Sequence, residues 1–345
     1  MRKNQYIAES MCPAVPAAIG NKGKIMKKII AFSAAIVVAA TLGGASILRA
    51  VNPGIKATAT AGEAYVTPAQ DGNVSREYDL SGFDELDISG PFKVTLTKSK
   101  EYRVKLSVPE EYADKVIVRT EKDELKIGVN DKLFHDTKWK SLVFTAEISM
   151  PALRSLELSG AVDFECDDTF DLANGEFSLE QSGASKVKSL SVKAGEFEAE
   201  LSGAAVCKLD GEFDEADLEM SGAAEASMKL SGRTLKVENS GAAKTKVDGK
   251  FDRVSLESSG AAEITINGAA GSLRIDAGGA AKVKAGDFVA ENASVQTSGA
   301  ASCTVNVSGK LTVEDASGAS SIRYRGTSDV KVVYVARAAS LKKID

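Results

Sequence analysis

Ser221-Gly222-Ala223-Ala224-Glu225-Ala226-Ser227-Met228-Lys229-Leu230-Ser231-Gly232-Arg233-Thr234-Leu235-Lys236-Val237-Glu238-Asn239 runs straight into Ser240-Gly241-Ala242-Ala243, and this stretch is the unit from which most of the chain is built. Ser-Gly-Ala-Ala or a near variant recurs with its glycine at Gly160, Gly183, Gly203, Gly222, Gly241, Gly260, Gly279, Gly299 and Gly318. The intervals are 23, 20, 19, 19, 19, 19, 20 and 19 residues. A fixed period near 20 marks stacked supersecondary units, each burying its apolar side against its neighbours.

Within the unit, apolar residues alternate with polar ones. Counting the corner Ser as position one, position six holds Val187, Cys207, Ala226, Thr245, Ile264, Val283, Cys303 and Ile322. Position eight adds Leu209, Met228, Val247, Ile266 and Val305, and lysines at position seven lie between. A period of two describes a strand with one buried face. A second strand precedes each next Ser-Gly, with Leu235 and Val237, Val254 and Leu256, or Leu273 and Ile275 inward. Each unit therefore reads strand, turn, strand, turn. The Ser-Gly-Ala corner takes glycine where a positive φ or a close backbone approach excludes a Cβ. Asp210-Gly211, Asp248-Gly249 or Asn267-Gly268 mark the second turn.

Such Asp-Gly and Asn-Gly pairs are also hairpin signals, so an antiparallel β-meander is the alternative fold. Constant spacing decides between them, because only a solenoid stacks each corner on its predecessor and so demands equal coils. The fold expected is all-β, a parallel β-helix (β-solenoid) of about 19-residue coils, right-handed by the usual crossover preference. Residues 159–345 form its repetitive part. Residues 74–158 lack the tetrapeptide but keep the alternation in Phe92, Val94 and Leu96 and in Leu125, Ile127 and Val129. They read as a broader, less regular N-terminal part of the same solenoid, with Ser89-Gly90-Pro91-Phe92 as a degenerate corner and residues 330–335 as the closing strand at the far end.

Met26-Lys27-Lys28 followed by an uncharged run over residues 29–48 has the basic and apolar regions of a secretory signal. Residues 1–25 read as an upstream extension, with Met26 as the start, or as an N-terminal tail. Residues 26–49 are then a signal peptide, or an uncleaved anchor, since twenty uncharged residues just span a bilayer at ~1.5 Å per residue. Residues 50–73, rich in Ala, Thr, Gly and Pro, read as a flexible linker.

The first 49 residues hold seven basic and one acidic residue, so of 43 basic and 48 acidic groups in all, 36 and 47 remain, a net charge of −11. A body that acidic repels phosphate backbones, which argues against nucleic acid as a partner. Glycine-rich phosphate loops and paired Cys-x-x-Cys motifs are missing, and the single histidine, His135, starves imidazole-based metal sites and catalytic triads. Cys207 and Cys303 share a buried column five coils apart, about 24 Å at ~4.8 Å per coil, too far for a disulfide. With Cys166 they read as small core residues.

Two candidate sites remain. Residues 131–141 break the repetition and hold the only Trp; Phe134, His135 and Trp139, flanked by lysines, could stack a sugar ring or grip a partner. The other reading of this loop is a cap over the end of the solenoid. Two residues before each corner Ser stand Glu157, Glu180, Glu200, Glu219, Glu238, Glu257, Asp276, Gln296 and Asp315. They alternate with buried residues, so they face outward and line up one coil apart. Such a column is either a solvated face or a Ca²⁺ site, with Glu219, Glu238, Glu257 and Asp276 as its oxygen ligands.

The run Ser81-Gly82-Phe83-Asp84-Glu85-Leu86-Asp87-Ile88-Ser89-Gly90, the strand Asp123-Glu124-Leu125-Lys126-Ile127, the turn Met150-Pro151-Ala152-Leu153 leading into Leu156-Glu157-Leu158-Ser159-Gly160-Ala161, and the later corners resemble the putative auto-transporter adhesin head domain family. The resemblance covers roughly residues 74–335 and implies a right-handed β-helix exported by bacteria, with an adhesin role and no family catalytic residues to carry over. The function expected is an exported, non-enzymatic, adhesin-like binding module of the cell envelope or surface, engaging a glycan or an envelope or host surface protein and touching the membrane only through its N-terminal signal or anchor. An envelope spacer without a ligand is the alternative. A polysaccharide-active β-helix enzyme fits less well, because such enzymes frame a groove with long loops and these coils are short.

Overall fold

The computed structural model describes residues 56–58, 63–68, 72–130 and 144–345. The expectations for residues 1–49 and for Phe134, His135 and Trp139 lie outside the described residues. In chain order the strands are β1 (Lys56–Thr58), β2 (Glu63–Pro68), β3 (Asn73–Tyr78), β4 (Glu85–Gly90), β5 (Phe92–Lys98), β6 (Arg103–Pro109), β7 (Val116–Glu121), β8 (Glu124–Val129) and β9 (Phe144–Met150). Then come β10 (Ser155–Gly160), β11 (Asp163–Asp171), β12 (Glu176–Gln181), β13 (Lys186–Leu201), β14 (Val206–Met220), β15 (Glu225–Asn239) and β16 (Lys244–Ser258). The last are β17 (Glu263–Ala277), β18 (Lys282–Thr297), β19 (Ser302–Ala316), β20 (Ser321–Arg325), β21 (Asp329–Val332) and β22 (Ser340–Lys343).

From β10 to β22 every pairing is parallel, and the stack is a β-solenoid of about ten turns. Thr245 lies beside Ile264 and Leu256 beside Ile275, one coil apart, as equal coil lengths demand. The antiparallel meander is therefore excluded for the repeats. Position six is buried in every coil from Val187 to Ile322, because alternation sends every second side chain inward.

The corners stack backbone on backbone. Gly183, Gly203, Gly222, Gly241, Gly260, Gly279, Gly299 and Gly318 all have φ between 66° and 70°. The N–H of the following Ala donates to the carbonyl of the previous coil's Gly, as from Ala223 to Gly203 at 2.8 Å.

The second turn differs from expectation. The chain does not break at Asp210-Gly211; β14 runs through it, and the paired β15 runs through Ser231-Gly232. Its inward residues, Cys207, Leu209, Phe213, Ala216, Leu218 and Met220, keep the period of two through this bend, with Gly211 in phase between Leu209 and Phe213, and slip out of it once, after Phe213. The ladder stays paired through Asp210-Gly211 and skips only Asp214 and Arg233. Glycine is needed there because a Cβ at Gly232 would overlap the Phe213 carbonyl of the coil beneath.

The N-terminal part also departs from simple coiling. The β4–β5 coil is sandwiched between β8–β9 on one side and β10–β11 on the other, so the stack is out of chain order. Beyond it the strands turn antiparallel: β7 on β8, then β6 on β9, β3 on β6, β2 on β3 and β1 on β2. Local hairpin chemistry explains the β7–β8 turn, where Lys122 takes φ 57°. The segment 50–73, expected as a linker, thus contributes β1 and β2. At the far end the closing strand is not 330–335. Residue 335 makes only an isolated bridge to Ala316, and β22 forms the last rung on β20. Lys342 and Lys343 charge this edge, which discourages further strand addition.

The core holds polar side chains that the pattern did not announce. Thr245 donates to Asn239 at 2.9 Å, Asn239 donates to the Glu263 carbonyl at 3.2 Å, and the Thr297 and Ser320 hydroxyls meet at 2.9 Å. Each pair satisfies groups whose burial would otherwise cost free energy. Cys166, Cys207 and Cys303 are free and buried; burial pushes the Cys166 thiol up to about 11 and the other two to about 12. Since the thiolate is the reactive form, maleimide at pH 8 should leave all three unmodified in native protein and label all three after denaturation, by peptide mapping. Rapid native labelling, or two thiols lost to a disulfide, would contradict this packing.

Candidate functional site

The strand leading into each corner presents its outward residues in register. Reading across the stack two residues before the corner gives Arg119, Lys126, Asp87, Glu157, Glu180, Glu200, Glu219, Glu238, Glu257, Asp276, Gln296 and Asp315. Eight consecutive rungs, Asp87 to Asp276, are acidic. They stand about one strand spacing, ~4.8 Å, apart. The column expected from sequence exists, and the structure lengthens it by Asp87 and ends it on two cations.

Charge is most confined where the column meets those cations. Carboxylate oxygens of Asp87, Glu124 and Glu157 all lie within 4.8 Å of one another. The Lys126 ammonium sits 3.1 Å from Asp87 and 2.8 Å from Glu124, on side chains only 5% and 25% exposed. Burial pushes Glu157 up to about 7, helped by the charges of Asp87, Glu180 and Glu124 and opposed by Lys126. Asp87 is also raised, chiefly by burial, against the pull of Lys126. Further along, burial and then neighbouring carboxylates raise Glu198 and Glu200. The face stores like-charge repulsion and holds a proton near neutral pH at Glu157.

Glu219, Glu238, Glu257 and Asp276 occupy four successive rungs. Lys236, two residues before Glu238 and so on the same side of the strand, pairs with Glu238 and reaches Asp217 at 3.4 Å. Among the described residues, the acidic group tight enough to converge on one ion is Asp87–Glu124–Glu157, and Lys126 already provides its cation. Asp87 was legible in principle, two residues before Ser89 of the degenerate corner. Lys126 and Glu124 were not, because their coil has residues 130–143 where the others have a corner.

A parallel β-solenoid with a long in-register charged face, built on short corners rather than long loops, places the chain among the repeat proteins of stacked parallel coils. The model of the family described as "Putative auto-transporter adhesin, head GIN domain" matches residues 82–230 and 221–328, and the chain belongs to that family. The chain is also similar to solved structures. One is a putative lipid binding protein from Parabacteroides distasonis, at 16% identity and TM-score 0.46, covering 80% of this chain and 98% of that one. Another is a putative adhesin from Parabacteroides merdae, at 15% identity and TM-score 0.44, over 80% and 98% of the two chains. A third is a putative adhesin from Bacteroides fragilis, at 16% identity and TM-score 0.34, over 80% and 98%. No curated protein matches the sequence. No helix among the described residues is long and apolar enough to cross a membrane.

Proposed function

We propose that the chain is an exported, adhesin-like binding module of the bacterial envelope or surface that holds a glycan or surface protein along the outward face of its rod, without chemistry on the ligand. The observation that carries this reading is the in-register outward column from Asp87 to Asp276. A stack of parallel coils repeats one side-chain chemistry at one spacing on a rigid scaffold, which suits an extended partner and multivalent contact. Membership of a head-domain adhesin family supports the same reading. Glycan-array and solid-phase binding by the full chain tests it. Saturable binding to a defined glycan or surface protein is expected; a folded rod that binds neither would make the chain a spacer.

Calcium belongs to the same proposal as a ligand of Glu219, Glu238, Glu257 and Asp276. A bound ion there must compete with the Lys236 ammonium. Millimolar Ca²⁺ should then raise the melting temperature beyond NaCl of matched ionic strength, and Glu238→Gln with Glu257→Gln should remove the excess. Equal effects of the two salts would reduce the column to a screened surface.

A further inference from the structure

On the three residues that follow the second bend, the coils change sign along the rod. In two successive coils these positions are Glu196-Phe197-Glu198 and Glu215-Ala216-Asp217; in the next they become Thr234-Leu235-Lys236, then Arg253-Val254-Ser255 and Ser272-Leu273-Arg274. The Lys236–Asp217 ion pair marks the boundary. Beyond it, β15 to β19 together line an open groove of about 490 Å³ that crosses five successive coils. Its cations are Lys236, Arg253, Arg274 and Lys310, and hydroxyl and amide side chains such as Ser272, Ser294 and Asn292 stand between them.

Lys236 is neutralised by Asp217 and Glu238. Arg253 donates to the Thr234 hydroxyl at 3.3 Å and pairs with no carboxylate, and Arg274 and Lys310 have no ionic partner among the described residues. Three unneutralised cations in one groove of a body with net charge −11 form a distinct field. Positions that are acidic in earlier coils here become basic or small, so the strip is both positive and hollowed.

We infer that this groove is a docking strip for a carboxylated polysaccharide laid along the rod, an inference that rests on the reading of the chain as a binding module and names its ligand class. Two guanidinium forks on adjacent coils match carboxylates bidentately. A pyranose ring is about as long as one coil is high, so a uronate chain parallel to the rod advances about one ring per rung. The hydroxyls and the Asn292 amide take ring hydroxyls. Nucleic acid fits less well, because the groove offers no aromatic ring for base stacking, whereas its serines and Asn292 can bond the hydroxyls of a sugar ring.

The test uses the full chain with three probes: polygalacturonate, its fully methyl-esterified neutral form and a thymidine oligonucleotide. Polygalacturonate should bind with salt-dependent affinity and the ester should not. The variant R253Q/R274Q/K310Q should weaken polygalacturonate binding about tenfold or more. The variant K208Q/K246Q/K284Q, which removes the same charge from the strand after the corner, should change it less than about threefold. Equal losses in the two variants, equal binding of the ester, or tighter binding of the oligonucleotide would overturn the assignment. A neutral glycan bound equally by the parent chain and the groove variant would also overturn it, while leaving the binding-module reading intact.

Discussion

Replacing Gly222 with Ala should cost about 2–5 kcal/mol of stability, the sum of a left-handed backbone penalty and an overpacking penalty. Gly222 has φ 67°, where an L side chain is strained. A Cβ there would also lie 2.8 Å from the Gly203 carbonyl oxygen and 3.1 Å from its N. Neither atom can swing away, because the Gly203 carbonyl already accepts the Ala223 N–H at 2.8 Å. One methyl group therefore pushes apart a coil contact whose geometry recurs at every repeat corner. The neighbouring Ala223 points to solvent, and Ala223→Ser should stay within about 0.5 kcal/mol. Melting curves of the two variants check this. Equal melting temperatures would mean that the corners do not bear on one another.

The second large effect is a pH dependence at the end of the acidic column. Glu157 has an ordinary value of 4.5, raised to about 7 in the folded protein. The folded state therefore binds this proton more tightly than the unfolded chain. Its stabilising contribution is fully present below pH 4.5 and is lost as the pH rises through 7. Above that, the ionised carboxylate stands against Asp87, Glu124 and Glu180, opposed by Lys126. Glu157→Gln mimics the protonated form. It should leave the melting temperature near pH 4.5 unchanged and raise it at pH 8 by several degrees, corresponding to about 1–3 kcal/mol once solvent screening is discounted. Parallel curves of melting temperature against pH for the two proteins would show that Glu157 is an ordinary surface carboxylate.

How far the site could be read in advance depended on whether a residue keeps the repeat's period. Glu180 to Asp276 keep it, so counting back from each corner Ser places them on one column. Asp87 belongs to a coil 70 residues earlier in the chain than its rung-mate Glu157, and only stacking out of order makes them neighbours. The cation strip is harder still. Lys310 falls opposite Asn292 because the β18–β19 register slips nearby, so no fixed offset from a corner finds it.

By itself the sequence determined the parallel stacking, the coil length, the inward and outward assignment of nearly every repeat residue, and the burial of Cys166, Cys207 and Cys303. All of these follow from two periods, two residues along a strand and 19 around a coil, which leave one register in which apolar side chains meet. Tertiary structure alone decided the strand that bends instead of turning at Asp210-Gly211, the antiparallel cap, the insertion of β4–β5 between later coils, and the meeting of Lys126 with Asp87 and Glu124. The physical reason is common to them: each depends on contacts between segments whose separation along the chain is not the repeat length, and periodicity carries no information about such contacts.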